Sequence, residues 1–130
     1  MKYFAVLALA LTTFFSQATY HQQLCKGFLP PNDRKIPTSV KTGISEESFN
    51  SISQKIGEIY REEIERRGGE LSISLNWHND WVNAYANRVG NQWILSLYGG
   101  LARHAEITED GFALIVCHEM SHHLGGVPHY

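Results

Sequence analysis

The sequence lacks an excess of positive charge and a long run of apolar residues. Its 130 residues carry 11 Lys and Arg against 13 Asp and Glu, a formal net charge of −2. A chain with this balance has little cationic surface to neutralise phosphates, so we expect no nucleic-acid partner. With 43% hydrophobic and 18% charged residues, the composition excludes a wholly disordered chain and predicts one globular domain.

Cysteine and proline are scarce as well. The two cysteines, Cys25 and Cys117, allow one disulfide if the chain is exported, and the alternatives are a buried free thiol at Cys117 and a different partner for Cys25. Three of the four prolines lie within residues 22–43. We therefore expect residues 19–44 to form an irregular N-terminal leader.

The first 18 residues have the order of a secretory signal peptide. A positive start at Lys2 precedes an uncharged apolar run from Tyr3 to Phe15, and small residues follow at Ser16 and Ala18. The run is shorter than the ~20 apolar residues that a membrane-spanning helix needs. The sequence thus predicts cleavage after Ala18, a secreted or periplasmic location, and no stable membrane anchor after cleavage.

Hydrophobic periodicity predicts two helices and three strands within residues 45–130. Ser45 is a suitable N-cap for a long helix that ends at Gly68-Gly69, and an apolar stripe recurs along it at three- and four-residue spacing. That stripe, which we expect to pack on a sheet, comprises Phe49, Ile52, Ile56, Ile59, Tyr60 and Ile64.

The strand signals follow in order along the chain. Residues 71–77 alternate apolar and polar, and further strands are predicted at Trp81 to Arg88 and Gln92 to Tyr98, joined by a Gly90-Asn91 hairpin turn. Thr108 is placed to cap a final helix that ends near Leu124. We expect an α+β fold with a long backing helix and a small mixed or antiparallel sheet.

The final helix contains His118-Glu119-Met120-Ser121-His122, the pattern H-E-x-x-H. Residues four apart lie on one side of a helix, so both imidazoles can bind the same metal ion. Zn²⁺ at such a pair polarises a carbonyl and lowers the pKa of water to about 7, and Glu119 is close enough to act as general base. The pattern predicts His118 and His122 as zinc ligands.

A third ligand is expected, because catalytic zinc sites normally have three protein ligands. His129 is one candidate, although it comes one position later than the third histidine of H-E-x-x-H-x-x-G-x-x-H peptidases. His123 points away from His122 on a helix and is expected to be solvated or to support the site. His104 and His78 lie in predicted loops and are expected to be surface histidines.

An ordered set of motifs resembles the gluzincin branch of the zincin metallopeptidases. The set runs from Val82-Asn83-Ala84-Tyr85-Ala86 through Gly99-Gly100-Leu101-Ala102 to Ile115-Val116-Cys117-His118-Glu119-Met120-Ser121-His122. It is similar to the N-A-F-A, G-L-[LM] and H-E-[LIM]-[GS]-H signatures of the membrane-bound heat-shock and prenyl-protein peptidases, and the ending resembles small secreted bacterial relatives.

The resemblance implies a zincin-like fold over residues 45–130 and assigns roles within it. His118 and His122 match the zinc ligands, Glu119 matches the general base, and Asn83 and Ala84 match the edge strand that pairs with the substrate backbone. The family's third ligand is a Glu on a later helix. The sequence given ends at Tyr130, so the resemblance implies an incomplete domain with that acidic ligand downstream, or a non-standard ligand.

We therefore expect a secreted zinc-dependent metalloendopeptidase whose substrate is a peptide or protein. One alternative is a catalytically incomplete zincin relative that binds metal or peptide. Another is a structural chain in which His118 and Glu119 are ordinary polar residues on a helix surface.

Overall fold

A computed structural model of the chain describes residues 33–125. Three helices and three strands follow one another there: α1 (Glu46–Arg66), β1 (Glu70–Asn76), β2 (Ala84–Val89), β3 (Gln92–Tyr98), α2 (Gly99–Ala102) and α3 (Glu109–Gly125). The predicted α+β class with a long helix and a small sheet is confirmed, and of the two predicted kinds of sheet the structure has the mixed one. No helix in this range is both long and apolar enough to cross a membrane.

Several predictions concern residues outside the described range. These are the signal peptide at residues 1–18, the larger part of the leader at 19–44, the Cys25 partner of a disulfide, and His129 as third ligand. Between residues 33 and 44 the chain forms one isolated bridge, from Lys35 to Trp81.

The sheet has the strand order β1-β3-β2, with β1 parallel and β2 antiparallel to β3. Gly90 adopts a φ of +62°, a left-handed conformation that glycine enters without steric cost, and the chain reverses there. The predicted β2–β3 hairpin is thus confirmed. Within residues 33–125, this order leaves β2 on the outer side of the sheet.

The second strand starts three residues later than the predicted Trp81. Trp81 pairs instead with Lys35, and the Val82 amide donates to the Arg34 carbonyl at 3.0 Å. The Trp81 amide also donates to Asn79 Oδ1 at 3.0 Å, which turns the chain locally. The segment before the first helix therefore takes hydrogen bonds that the sequence pattern assigned to the sheet.

Helix α1 begins and ends as its sequence predicts. The Ser48 amide donates to the Ser45 side chain at 3.1 Å, and Gly68 takes the left-handed conformation just after the helix, with a φ of +79°. The prediction for Ile59 is wrong, because its side chain is 72% exposed. The apolar stripe is wider than the face that the sheet can cover.

Both long helices pack on one face of the sheet and run parallel to each other. Near their starts Phe49 packs against Phe112 with ring centroids 5.2 Å apart, and near their ends Arg67 Nη1 donates to the Leu124 carbonyl. Because neighbours in register share a sheet face, Leu71 and Trp93 point to the same side. The buried core consists of Ile44, Phe49, Ile56, Ile64, Leu71, Trp93, Leu95, Leu97, Ala102, Phe112, Val116 and Met120.

Gly99 and Gly100 begin the short helix α2, which the sequence pattern did not predict. A Cβ on Gly99 would lie 1.8 Å from the Trp77 carbonyl oxygen, and one on Gly100 would lie 1.9 Å from that of Asp80. Only glycine allows this approach, so the pair does more than end β3. It brings the loop after β1 against the start of α2.

Candidate metal centre

Helix α3 carries the H-E-x-x-H residues, and its starting point is set by Thr108. The Gly111 amide donates to Thr108 Oγ1 at 3.1 Å, which satisfies one of the amides that a helix start leaves without a carbonyl partner. Four side chains at four-, four- and three-residue spacing are buried against the core: Phe112, Val116, Met120 and His123. His118 and His122 therefore lie on a different side of the helix.

The two imidazoles point at each other. His118 Nε2 and His122 Nε2 are 3.3 Å apart, and the rings meet nearly at right angles with centroids separated by 4.8 Å. A tetrahedral zinc with Zn–N bonds of about 2.0–2.1 Å separates two nitrogen ligands by about 3.3–3.4 Å. The nitrogen pair thus has the spacing that a shared zinc ion requires.

Glu119 completes the cluster. His118, Glu119 and His122 each offer one ligand atom, and these atoms lie within 4.8 Å of one another. Burial raises the pKa of the Glu119 carboxyl, while His122, His118 and a hydrogen bond from the Ala86 amide oppose that shift. A carboxylate with a raised pKa is a better proton acceptor near neutral pH than a fully solvated one.

The contact with Ala86 places Glu119 against strand β2. The two residues predicted to bind substrate lie at the start of the same strand, with Ala84 as its first residue and Asn83 just before it. Asn83 Oδ1 accepts a hydrogen bond from the Ala84 amide at 2.9 Å. Ala84 therefore lies on the same strand as Ala86, whose amide contacts Glu119. The substrate-binding role of Asn83 and Ala84 stays a prediction.

The structure corrects the expectation that His123 is solvated. Its side chain is fully buried, its ring stacks on Trp93 with centroids 5.5 Å apart, and its Nε2 lies 3.1 Å from the Ile94 carbonyl oxygen. The spacing from Val116 and Met120 to His123 places all three on one helical stripe. That periodicity was present in the sequence and could have identified His123 as a core residue.

The two histidines in predicted loops, His78 and His104, are not part of this cluster. His78 is exposed, and His104 Nε2 lies 2.6 Å from Arg34 Nη1. Cys117 is a half-buried free thiol next to the Tyr60 hydroxyl, and its charge together with burial raises the pKa of Tyr60. Across residues 33–125, only the cluster of His118, Glu119 and His122 brings three potential metal-binding side chains together.

No known protein family, curated protein or solved structure matches this chain.

Proposed function

We propose that this protein is a zinc-dependent metalloendopeptidase with a zincin-like fold. The observation that carries the proposal is the 3.3 Å separation of His118 Nε2 and His122 Nε2, with Glu119 in the same cluster. A zinc ion held by the two imidazoles supplies Lewis acidity towards water and a peptide carbonyl. The arrangement of a long helix, a mixed sheet and an H-E-x-x-H helix beside an antiparallel strand supports the zincin-like assignment.

Glu119 performs the proton transfers in this proposal. Its carboxylate takes a proton from the attacking water and returns it to the leaving amine when the peptide bond breaks. A general base at this position contributes about 10²–10⁴-fold to the rate. The raised pKa of Glu119 favours this role, because burial strengthens the carboxylate as a base.

The substrate in this proposal is an extended peptide that adds to β2. Strand addition needs a sheet edge, and β2 has β3 on one side only in the strand order of residues 33–125. Ala84 is the first residue of this strand and Asn83 comes just before it. Both are close in sequence to Ala86, whose amide donates to Glu119. We place the activity outside the cytoplasm because residues 1–18 have the order of a signal peptide.

A metal- or peptide-binding module without catalysis is the second candidate. The number of metal ligands favours this candidate. Catalytic zinc has three protein ligands, whereas the described cluster supplies two imidazoles and a carboxylate that the proposal assigns to proton transfer. The proposed peptidase needs a third ligand, and His129 is the candidate for it in the sequence.

Substitution of Glu119 separates metal binding from turnover. In the full chain, Glu119→Gln should keep zinc because both imidazoles remain, and it should lose casein cleavage by about 10²–10⁴-fold. His118→Ala and His122→Ala should lose zinc, since each removes a ligand. Zinc content by mass spectrometry and cleavage of casein, an unstructured substrate, are measured on the same preparations, before and after chelation.

His78→Ala is the matched control, because His78 is an exposed histidine outside the cluster. It should leave both readouts at the level of the parent. Cleavage by Glu119→Gln at the parent rate would overturn the general-base role, and full zinc occupancy in His122→Ala would overturn the site. A parent chain that binds zinc but does not cleave casein supports the binding module. If the parent cleaves casein, His129→Ala tests whether His129 is the third ligand.

A further inference from the structure

The last turn of α3 is held from outside by two arginines. Within the described residues, α3 extends to Gly125, and the carbonyls of His123 and Leu124 lie in its last turn. Arg88 Nη2 donates to the His123 carbonyl, and Arg67 Nη1 donates to that of Leu124 at 2.6 Å. Positive charge at a helix C-terminus is also favoured by the helix dipole.

Arg88 is fixed in place by a stack of three side chains. Its guanidinium carbon lies 3.6 Å from the centroid of the Trp93 ring, and Trp93 stacks on His123 with an interplanar angle of 26°. The Arg88 donor, the ring of Trp93 and the end of α3 therefore belong to one packed layer that joins β2, β3 and α3. Such a cation–π stack orients a guanidinium that would otherwise sample many rotamers.

Arg67 approaches the same turn from the end of α1. Its Nε donates to Glu63 Oε1 at 2.6 Å, which leaves Nη1 to reach α3. Glu63 also accepts from Arg66, and hydrogen bonds from these two arginines lower its pKa to about 2, so the carboxylate is charged at neutral pH. Arg67 is 41% exposed, which makes it a position where substitution leaves the core intact.

We propose that Arg67 and Arg88 act together as positioning residues for His122, the ligand that lies in the turn they hold. The inference rests on the proposed zinc site. Fraying of this turn would move His122 relative to His118, and zinc sites tolerate distance changes of only about 0.2 Å. His118 lies one turn earlier, inside the helix, and does not depend on these contacts in the same way.

The test compares zinc affinity in the parent chain, Arg67→Ala, Arg88→Met and the control Arg66→Ala. Methionine keeps an apolar stem over Trp93 and removes the donor to His123. Arg66→Ala removes a positive charge and a Glu63 partner from the same helix end but no contact with α3 that the structure describes. We expect zinc affinity to fall about 10-fold or more in the two test variants and to change less than about twofold in the control.

Amide hydrogen exchange of the metal-free chain gives a second readout that does not depend on zinc. In Arg67→Ala and Arg88→Met the amides of residues 121–125 should exchange faster, while those of 112–116 keep the protection of the parent. Arg67→Lys should restore part of both readouts, because an ammonium can still donate to the Leu124 carbonyl. General destabilisation would instead raise exchange along the whole helix.

The outcomes separate the positioning role from the zinc site itself. A parent chain that fails to bind zinc, or a His122→Ala variant that binds as tightly as the parent, overturns the proposed site and the positioning role with it. A parent that binds zinc, with Arg67→Ala and Arg88→Met binding equally well, overturns the positioning role alone. If Arg88→Met does not fold by circular dichroism, the exposed variant Arg67→Ala decides.

Discussion

Arg103 is the largest of the fully buried side chains in the described part of the chain. Its guanidinium donates to the Ile36 and Trp77 carbonyls at 2.8 and 2.7 Å and forms an ion pair with Asp80 at 3.1 Å. Five donors in a planar fork allow one side chain to satisfy several acceptors at once. Arg103 therefore joins the segment before α1 to the loop after β1.

We expect Arg103→Lys to lower the free energy of unfolding by about 2–4 kcal/mol. Lysine keeps the charge but cannot reach all these acceptors, and each hydrogen bond to a charged group contributes about 1.5–3 kcal/mol. Urea unfolding followed by circular dichroism measures the change. The exposed Arg61→Lys is the control and should stay within about 0.5 kcal/mol of the parent. Equal stability of Arg103→Lys and the control would contradict the joining role.

At the scale of the element, α1 offers a comparison within one helix. Ile64 is fully buried, whereas Ile59, five positions earlier, is 72% exposed. The two residues have the same helix propensity and side-chain volume, so any difference between their alanine variants reports burial alone. The comparison measures how much of the long helix is held by the core.

Ile64→Ala should destabilise the chain by about 2–5 kcal/mol, because it removes buried methylene groups and leaves a cavity. Ile59→Ala should change stability by less than about 0.5 kcal/mol, since its side chain loses little contact. Denaturant midpoints of the two variants provide the measurement. Similar losses at both positions would mean that α1 packs with a different face towards the sheet.

At the scale of the whole molecule, local patterns predict the two long helices and the three strands but not the short helix α2 or the contacts between distant residues. The Ser45 cap and the Gly90-Asn91 turn depend on neighbours in sequence, so the helix start and the hairpin could be placed. Arg88 and His123 are 35 positions apart, and Arg103 and Ile36 are 67 apart. A local sequence pattern does not indicate which distant carbonyl group accepts a hydrogen bond from a guanidinium.

The candidate site shows the same difference between local contacts, which the sequence predicts, and distant ones, which it does not. The i, i+4 spacing predicts that His118 and His122 lie side by side, and their Nε2 atoms are 3.3 Å apart. The hydrogen bond from Ala86 to Glu119 arises only when β2 packs against α3, so the sequence carries no sign of it. The apolar pattern of α1 also predicts a wider buried face than the sheet covers, so the prediction for Ile59 is wrong.

Export is the prediction that concerns the chain as a whole. Expressed in a bacterial host with a secretory pathway, the full chain should be recovered outside the cytoplasm with Thr19 at its N-terminus, because the small residue Ala18 precedes the expected cut. N-terminal sequencing and intact mass provide the check. Ala18→Arg, which places a large charged residue at the cleavage position, is the control and should accumulate uncleaved. Exported material that begins at Met1 would contradict the prediction.

The amides of Ala84 and Ala86 on β2 both donate to side chains, to Asn83 Oδ1 and to the Glu119 carboxylate. Strand edges with unoccupied backbone donors are the templates on which identical chains stack into fibrils. A second copy of this chain would have to displace both side chains before it could pair with those amides. The two hydrogen bonds that shape the candidate site therefore also oppose aggregation, and a peptide that adds to β2 must compete with the same two acceptors.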